Sequence, residues 1–175
     1  MHQWRVSKYN PRFRNRKGVY QADDWTCPSD IGKVFNGHRL ELDEYLAMED
    51  RYVSTAMHFR EESGLSSLTV VGLETEIEVS PTVRQIGLDE LLLQGSELQE
   101  EQQLSGAELA RACRLNLRNL LYCKVEESGK FFIHFGYDYY MFVGSFLPCP
   151  DSVRYGQEVG LFVEPMRSPL SSDGV

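Results

Sequence analysis

The sequence lacks the marks of most catalytic classes. It has no Gly-rich phosphate loop, no dinucleotide fingerprint and no Gly-x-Ser-x-Gly elbow, so the familiar routes to nucleotide chemistry and serine hydrolysis are missing. No apolar run approaches the ~20 residues of a membrane span. The opening Met1-His2-Gln3-Trp4-Arg5-Val6 has no apolar signal core. Together these predict a cytoplasmic protein that does not enter a membrane. None of the four cysteines, Cys27, Cys113, Cys123 and Cys149, stands in a Cys-x-x-Cys pair, which argues against zinc and thioredoxin-like chemistry. Buried free thiols are the expectation in a reducing compartment.

Basic charge is scarce and badly spread. Lys and Arg number 18 against 26 Asp and Glu, a net of −8. Six of the 18 (Arg5, Lys8, Arg12, Arg14, Arg16 and Lys17) fall within the first 20 residues, where there is no acid. The remaining 155 residues then hold 12 basic and 26 acidic groups, a net of −14. Such a body disfavours nucleic acid, because phosphate contacts need clustered cations. It suits a basic partner or simply solubility. Arg12, Arg14, Arg16 and Lys17 read as a solvated loop around Gly18, with an anion or acidic-surface contact as the functional alternative.

What the sequence has in quantity is aromatic side chains, and seven of them crowd into Lys130–Gly144. Phe131, Ile133, Phe135, Tyr139, Met141 and Val143 share one parity; Phe132, Tyr140 and Phe142 share the other. An extended segment apolar on both faces belongs at the centre of a sheet. Gly136-Tyr137-Asp138 interrupts the run and fits either a type II′ hairpin or a bulge. The aromatics read as core, with an exposed recognition surface as the alternative.

Elsewhere the periodicities alternate. Trp4 to Tyr9 reads as a strand ended by Asn10-Pro11. Apolar residues from Tyr45 to Phe59 recur at helical spacing, which predicts a helix over 43–63 with Gly64 at its C-terminal cap. Leu68 to Val79 reads as a strand with a bulge at Gly72. Glu74, Glu76 and Glu78 then lie together on a wet face. Gln94 to Gln103 is polar and acidic and reads as a loop. Ser105 and Glu108 have the spacing of a capping box, flanked by Leu104 and Leu109 as a staple, which opens a helix over 106–121. Arg111, Arg114 and Arg118 would form its outer, solvated row. Strands follow at 122–126 and 160–164. Residues 1–165 thus predict one α+β domain, helices packed on a mainly antiparallel sheet, with 166–175 as a C-terminal tail.

Candidates for chemistry are few. His134 and Asp138 stand four apart in the aromatic run and could be a buried hydrogen-bonded couple, a ligand pair, or an acid with its orienter. Asp30, after Pro28 and before Gly32, could be a catalytic acid or a local backbone cap. These three residues would serve a small metal-dependent hydrolase or nuclease, the alternative of a different class. No cofactor is implied.

Several short motifs carry a resemblance. Lys8-Tyr9-Asn10-Pro11, Arg14, Gly18-x-Tyr20, Asp24-Trp25-Thr26, Ser29-Asp30-Ile31-Gly32, Glu44-Tyr45-Leu46 and Glu49 together resemble a group of small bacterial proteins of uncharacterised activity. The run His134–Met141 is similar to core strands of some bacterial toxin-immunity proteins. The resemblance implies a single-domain cytoplasmic protein that binds and neutralises a toxin domain delivered by a competing cell. It carries no binding residues across. Many such toxins are nucleases with basic clefts, and an acidic protein is steered into such a cleft. The acids predicted to meet that partner are Glu74, Glu76, Glu78, Glu97, Glu100 and Glu101. Solubility is the competing explanation for the same residues.

Overall fold

The computed structural model describes residues 1–93 and 98–170. Strand β1 (His2–Ser7) opens the chain. A small ribbon of β2 (Val34–Phe35) and β3 (His38–Arg39) precedes helix α1 (Leu42–Glu62), and β4 (Ser67–Glu74) follows it. Short helices α2 (Pro81–Gln85) and α3 (Glu90–Leu93), strand β5 (Gln103–Ser105) and helix α4 (Gly106–Leu117) come next. Strands β6 (Tyr122–Glu127), β7 (Phe131–Phe135) and β8 (Met141–Ser145) lead to helix α5 (Pro150–Glu158) and β9 (Phe162–Pro165). The main sheet has the order β5-β4-β6-β7-β8-β1-β9, and every neighbouring pair is antiparallel. The architecture is the α+β fold expected.

The aromatic run forms the middle of that sheet. Every residue of β7 and β8 is buried, and the pairs Ile133–Val143 and Phe135–Met141 put one parity on one face. Helices α1, α4 and α5 cover that face. The Phe59 ring of α1 lies tilted against Trp4 at 5.0 Å, Asn116 of α4 accepts a hydrogen bond from the Cys123 amide, and Gly156 of α5 packs on Val163. A β-carbon at Gly156 would come within 2.7 Å of Val163, so the glycine is what lets this helix approach the sheet. The second face carries Phe132, stacked on His134 at 4.2 Å, and Phe142. The chain after β9 crosses toward this face: the Ser168 amide donates to the Gln3 side chain, and Lys124 Nζ donates to the Leu170 carbonyl.

Local rules account for several boundaries. Helix α1 ends in a Schellman arrangement, with Gly64 at φ +72°, its amide on the Glu61 carbonyl and the Leu65 amide on that of Arg60. A left-handed residue there costs a glycine nothing. The register of β4 shifts between Val71 and Glu74, at Gly72, as a bulge.

Other expectations are corrected. Strand β4 stops at Glu74, so Glu76 and Glu78 lie in irregular chain beyond it. Ser105 is the N-cap of α4, but its side chain makes no capping bond. The helix ends at Leu117 rather than 121. Residues 103–105, assigned to loop and helix entry, form β5, and helix α5 is an addition to the predicted elements. Gly136 opens neither a two-residue turn nor a bulge. Residues 136–140 form a five-residue connection closed by the Gly136 amide on the Tyr140 carbonyl at 2.8 Å.

Arg12, Arg16 and Lys17 are exposed as expected, but two other arginines, Arg14 and Arg118, are less exposed than their patterning implies. Arg14 is not solvated: its side chain is 7% exposed and binds both Glu164 oxygens at 2.7 Å, and Arg5 joins the same carboxylate. Arg118 is not on an outer row. It forms a bidentate pair with buried Glu49, at 2.7 and 2.8 Å, that ties α4 to α1.

Candidate functional site

Strand register brings the informative residues to one end of the sheet. Glu74 closes β4 opposite Tyr122, the first residue of β6. The β7–β8 connection stands at the same end, because Phe135 pairs with Met141. Val6 and Ser7 of β1 lie there too, paired with Met141 and Phe162. At about 4.8 Å per strand, β4 and β1 are four steps and roughly 19 Å apart. One end of the sheet therefore presents Glu74, the 136–140 connection and the loop that follows β1 as a continuous front.

The 136–140 connection is strained and pinned. Asp138 and Tyr139 both have positive φ, +56° and +61°, a region that a bulky residue enters only when its surroundings force it. Buried tyrosines supply the force. The Tyr9 hydroxyl lies 2.7 Å from the Asp138 carbonyl, and the Tyr52 hydroxyl donates to the Tyr139 carbonyl at 2.8 Å. Tyr52 in turn accepts the Lys8 amide at 2.7 Å. The Tyr139 ring packs edge-on against Trp25, Tyr45 and Tyr52. Burial pushes the hydroxyls of Tyr9, Tyr45, Tyr52 and Tyr139 well above their ordinary range. They stay protonated, and Tyr9, Tyr45 and Tyr52 donate to backbone carbonyls. Beyond this anchor Tyr137 projects into solvent, 93% exposed.

Lys8 sits beneath the front. Its side chain is 3% exposed, with Nζ 2.7 Å from Asp24 and over the rings of Trp25 at 4.0 Å and Tyr9 at 4.3 Å. Burial lowers its pKa from 10.5 to about 8, and the Asp24 carboxylate offsets only part of that. An ammonium removed from water is tolerated here because a carboxylate and two aromatic faces replace the water.

Above Lys8 the 13–44 segment folds around a cleft of about 450 Å³. Phe13, Tyr20, Trp25 and Phe35 are among its walls, with Asp23, Asp24 and Glu44 beside them. A second cleft, about 430 Å³, shares Tyr20, Ala22 and Asp24 and extends to Asp138 and Tyr140. The β2–β3 ribbon holds the rim, with the Asn36 amide on Asp23 and His38 on Glu44 at 2.7 Å.

The expected partner-binding acids divide. Glu74, Glu76, Glu78 and Glu101 are exposed. Glu100 is exposed too, but it is engaged: its carboxylate accepts the amides of Leu73 and Gly72, both at 2.8 Å. Those two backbone bonds lower its pKa, and the residue clamps the β4 bulge. Glu101, at φ +64°, completes the same turn. Glu97 lies outside the described residues.

The residues of the hydrolase alternative are not assembled. His134 is buried and bonds Glu126 at 2.6 Å, while Asp138 lies in the connection beyond β7. Asp30 caps its own loop, accepting the Thr26 and Cys27 amides and the Lys33 ammonium. Burial raises its pKa, but the bonds from Lys33 and Thr26 outweigh this and leave it lowered, the state of a structural anion. Among the described residues no group of three or more His, Cys, Asp or Glu is placed to hold a metal ion. No helix among them is long and apolar enough to cross a membrane.

Sequence reasoning missed the Lys8–Asp24 pair and the aromatic cleft. A signal was present: Phe13, Tyr20, Trp25 and Phe35 recur through a stretch with almost no regular structure, where four large apolar rings have to pack on something. Comparison with protein families, with curated proteins and with solved structures finds no match.

Proposed function

We propose that this chain is a protein-binding protein of the immunity type, which neutralises a toxin domain of basic surface by direct binding in the cytoplasm. The observation that carries the reading is the gathering of exposed carboxylates at one end of the sheet. Glu74, Glu76, Glu78 and Glu101 stand at the β4 side and Asp138 at the middle, with Asp23 and Glu44 on the far side. Of the basic residues near that end, Lys8 is buried on Asp24 and Arg5 and Arg14 are committed to Glu164, while Arg12, Arg16 and Lys17 of the loop after β1 stay exposed. A front on which carboxylates predominate steers an oppositely charged partner and disfavours nucleic acid. Tyr137 at the centre supplies the exposed aromatic anchor that interfaces favour, and its pinned connection costs little ordering on binding.

The test is co-expression with the products of neighbouring genes. The reading expects one of them, a domain with a basic surface, to arrest growth when produced alone, to co-purify with this chain, and to become harmless in its presence. Failure of every neighbouring product to bind the chain would remove it.

A further inference from the structure

Aromatic side chains are ordinarily buried, yet Phe13 is 54% exposed at the cleft it shares with Trp25 and Phe35, and Tyr20 meets it edge-on at 6.4 Å. The floor is Trp25. Three carboxylates, Asp23, Asp24 and Glu44, line the same space, and no lysine or arginine does. Asp24 is balanced from beneath by Lys8, but Asp23 and Glu44 face the cleft with only an amide and His38 as neighbours. Aromatic faces interleaved with carboxylates attract one class of ligand, a cation with apolar bulk. The chain already satisfies this chemistry once, from the inside, where the Lys8 ammonium rests on Trp25 and Tyr9 against Asp24.

We propose that the cleft between Phe13, Tyr20, Phe35 and Glu44 seats an arginine side chain of the protein that binds this chain. Arginine fits better than lysine because its planar, weakly hydrated guanidinium stacks on rings while its edge bonds carboxylates. The volume, about 450 Å³, admits one such side chain with its stem. The class of occupant rests on the basic partner inferred above; the location rests on the cleft itself. It lies on the same front as Tyr137 and Glu74, so one partner can reach all three.

The experiment uses the intact chain and a small probe. Isotope-labelled protein is titrated with N-acetyl-arginine amide and, separately, with N-acetyl-citrulline amide, which keeps shape and loses charge. The expected result is weak, saturable binding of the arginine probe, with resonance shifts gathered at Phe13, Tyr20, Asp23 and Phe35, and little response to citrulline. Loss of one ring–cation contact of about 1 kcal/mol corresponds to about fivefold. Phe13→Ala and Glu44→Gln should each weaken binding by about that factor at unchanged melting temperature. Phe13→Tyr, which keeps an aromatic face, should restore it. Equal shifts from both probes, shifts elsewhere on the molecule, or indifference to both substitutions would overturn the proposal. Arginine bound here while no neighbouring product binds the chain leaves the cleft and removes the immunity reading. A basic partner that binds while the probe does not engage the cleft does the reverse.

Discussion

Replacing Lys8 with methionine tests whether a buried cation anchors the front of the molecule. In the folded chain the ammonium is 3% exposed and its pKa is about 8; in the unfolded chain it returns to about 10.4. That difference corresponds to about 3 kcal/mol between the two protonation states. The sign follows from proton uptake. Between the two values the unfolded chain holds a proton that the folded one has released, so raising the pH favours the fold. Relative to Lys8→Met, wild-type stability should rise by about 2 kcal/mol from pH 7 to 9.5. The comparison cancels the buried thiols of Cys113 and Cys123, their pKa raised by burial, which lower the stability of both proteins over the same range. At pH 7 the variant should be as stable as wild type or more so, since an apolar side chain of similar length avoids the desolvation. Asp24, 31% exposed, keeps water when its partner is gone. The assay is urea unfolding followed by tryptophan fluorescence, stopped below pH 10. Above that, unfolded tyrosines ionise while Tyr9 and Tyr45, raised by burial, do not, and stability falls for an unrelated reason. Parallel curves for the two proteins, or a difference that closes from pH 7 to 9.5, would refute the reasoning.

Arg118→Met should cost up to about 3–5 kcal/mol, because it takes the bidentate partner from the buried Glu49 carboxylate and leaves it only Arg114, 3.5 Å away, and the loss would be read in a denaturant midpoint. A β-carbon at Gly144 would fall 2.2 Å from the Phe132 ring; Gly144→Ala should therefore destabilise by about 1–3 kcal/mol, visible as a lowered melting temperature. Ser105→Ala should change stability by less than about 0.5 kcal/mol despite its capping position, since the hydroxyl makes no capping bond. Tyr137→Ala should leave the melting temperature unchanged and weaken partner binding, a combination that a purely structural tyrosine would not give.

The central strands were legible because two-sided burial leaves a strong trace: both parities of 131–135 and 141–145 are apolar, and only the middle of a covered sheet accepts that. Helix α1 was legible for a similar reason, through its periodic apolar stripe and Gly64. Short elements left weaker traces. Strand β5 has three residues and one buried side chain, Leu104, and α5 carries a glycine at its centre, where helix propensity argues against it. The charged residues misled most. Arg14 and Arg118 look like surface residues in sequence because each partner, Glu164 and Glu49, is distant along the chain. Glu100 was placed on the acidic rim without any sign that two backbone amides would claim it. The aromatic cleft depends on Phe13, Tyr20, Trp25 and Phe35 meeting in space, which no periodicity encodes.

The association rate with the basic domain found by co-expression, measured across a salt series, bears most directly on the central claim. The account predicts that Glu74→Gln, Glu76→Gln and Glu78→Gln together slow association at low salt, where exposed charges act over a Debye length of about 30 Å. The difference from wild type should close at about 1 M, where that length falls to about 3 Å. The dissociation rate should change less, as is usual for rim charges. Equal association rates at low salt would contradict a role for this edge. Faster association by the triple variant would contradict a basic partner altogether.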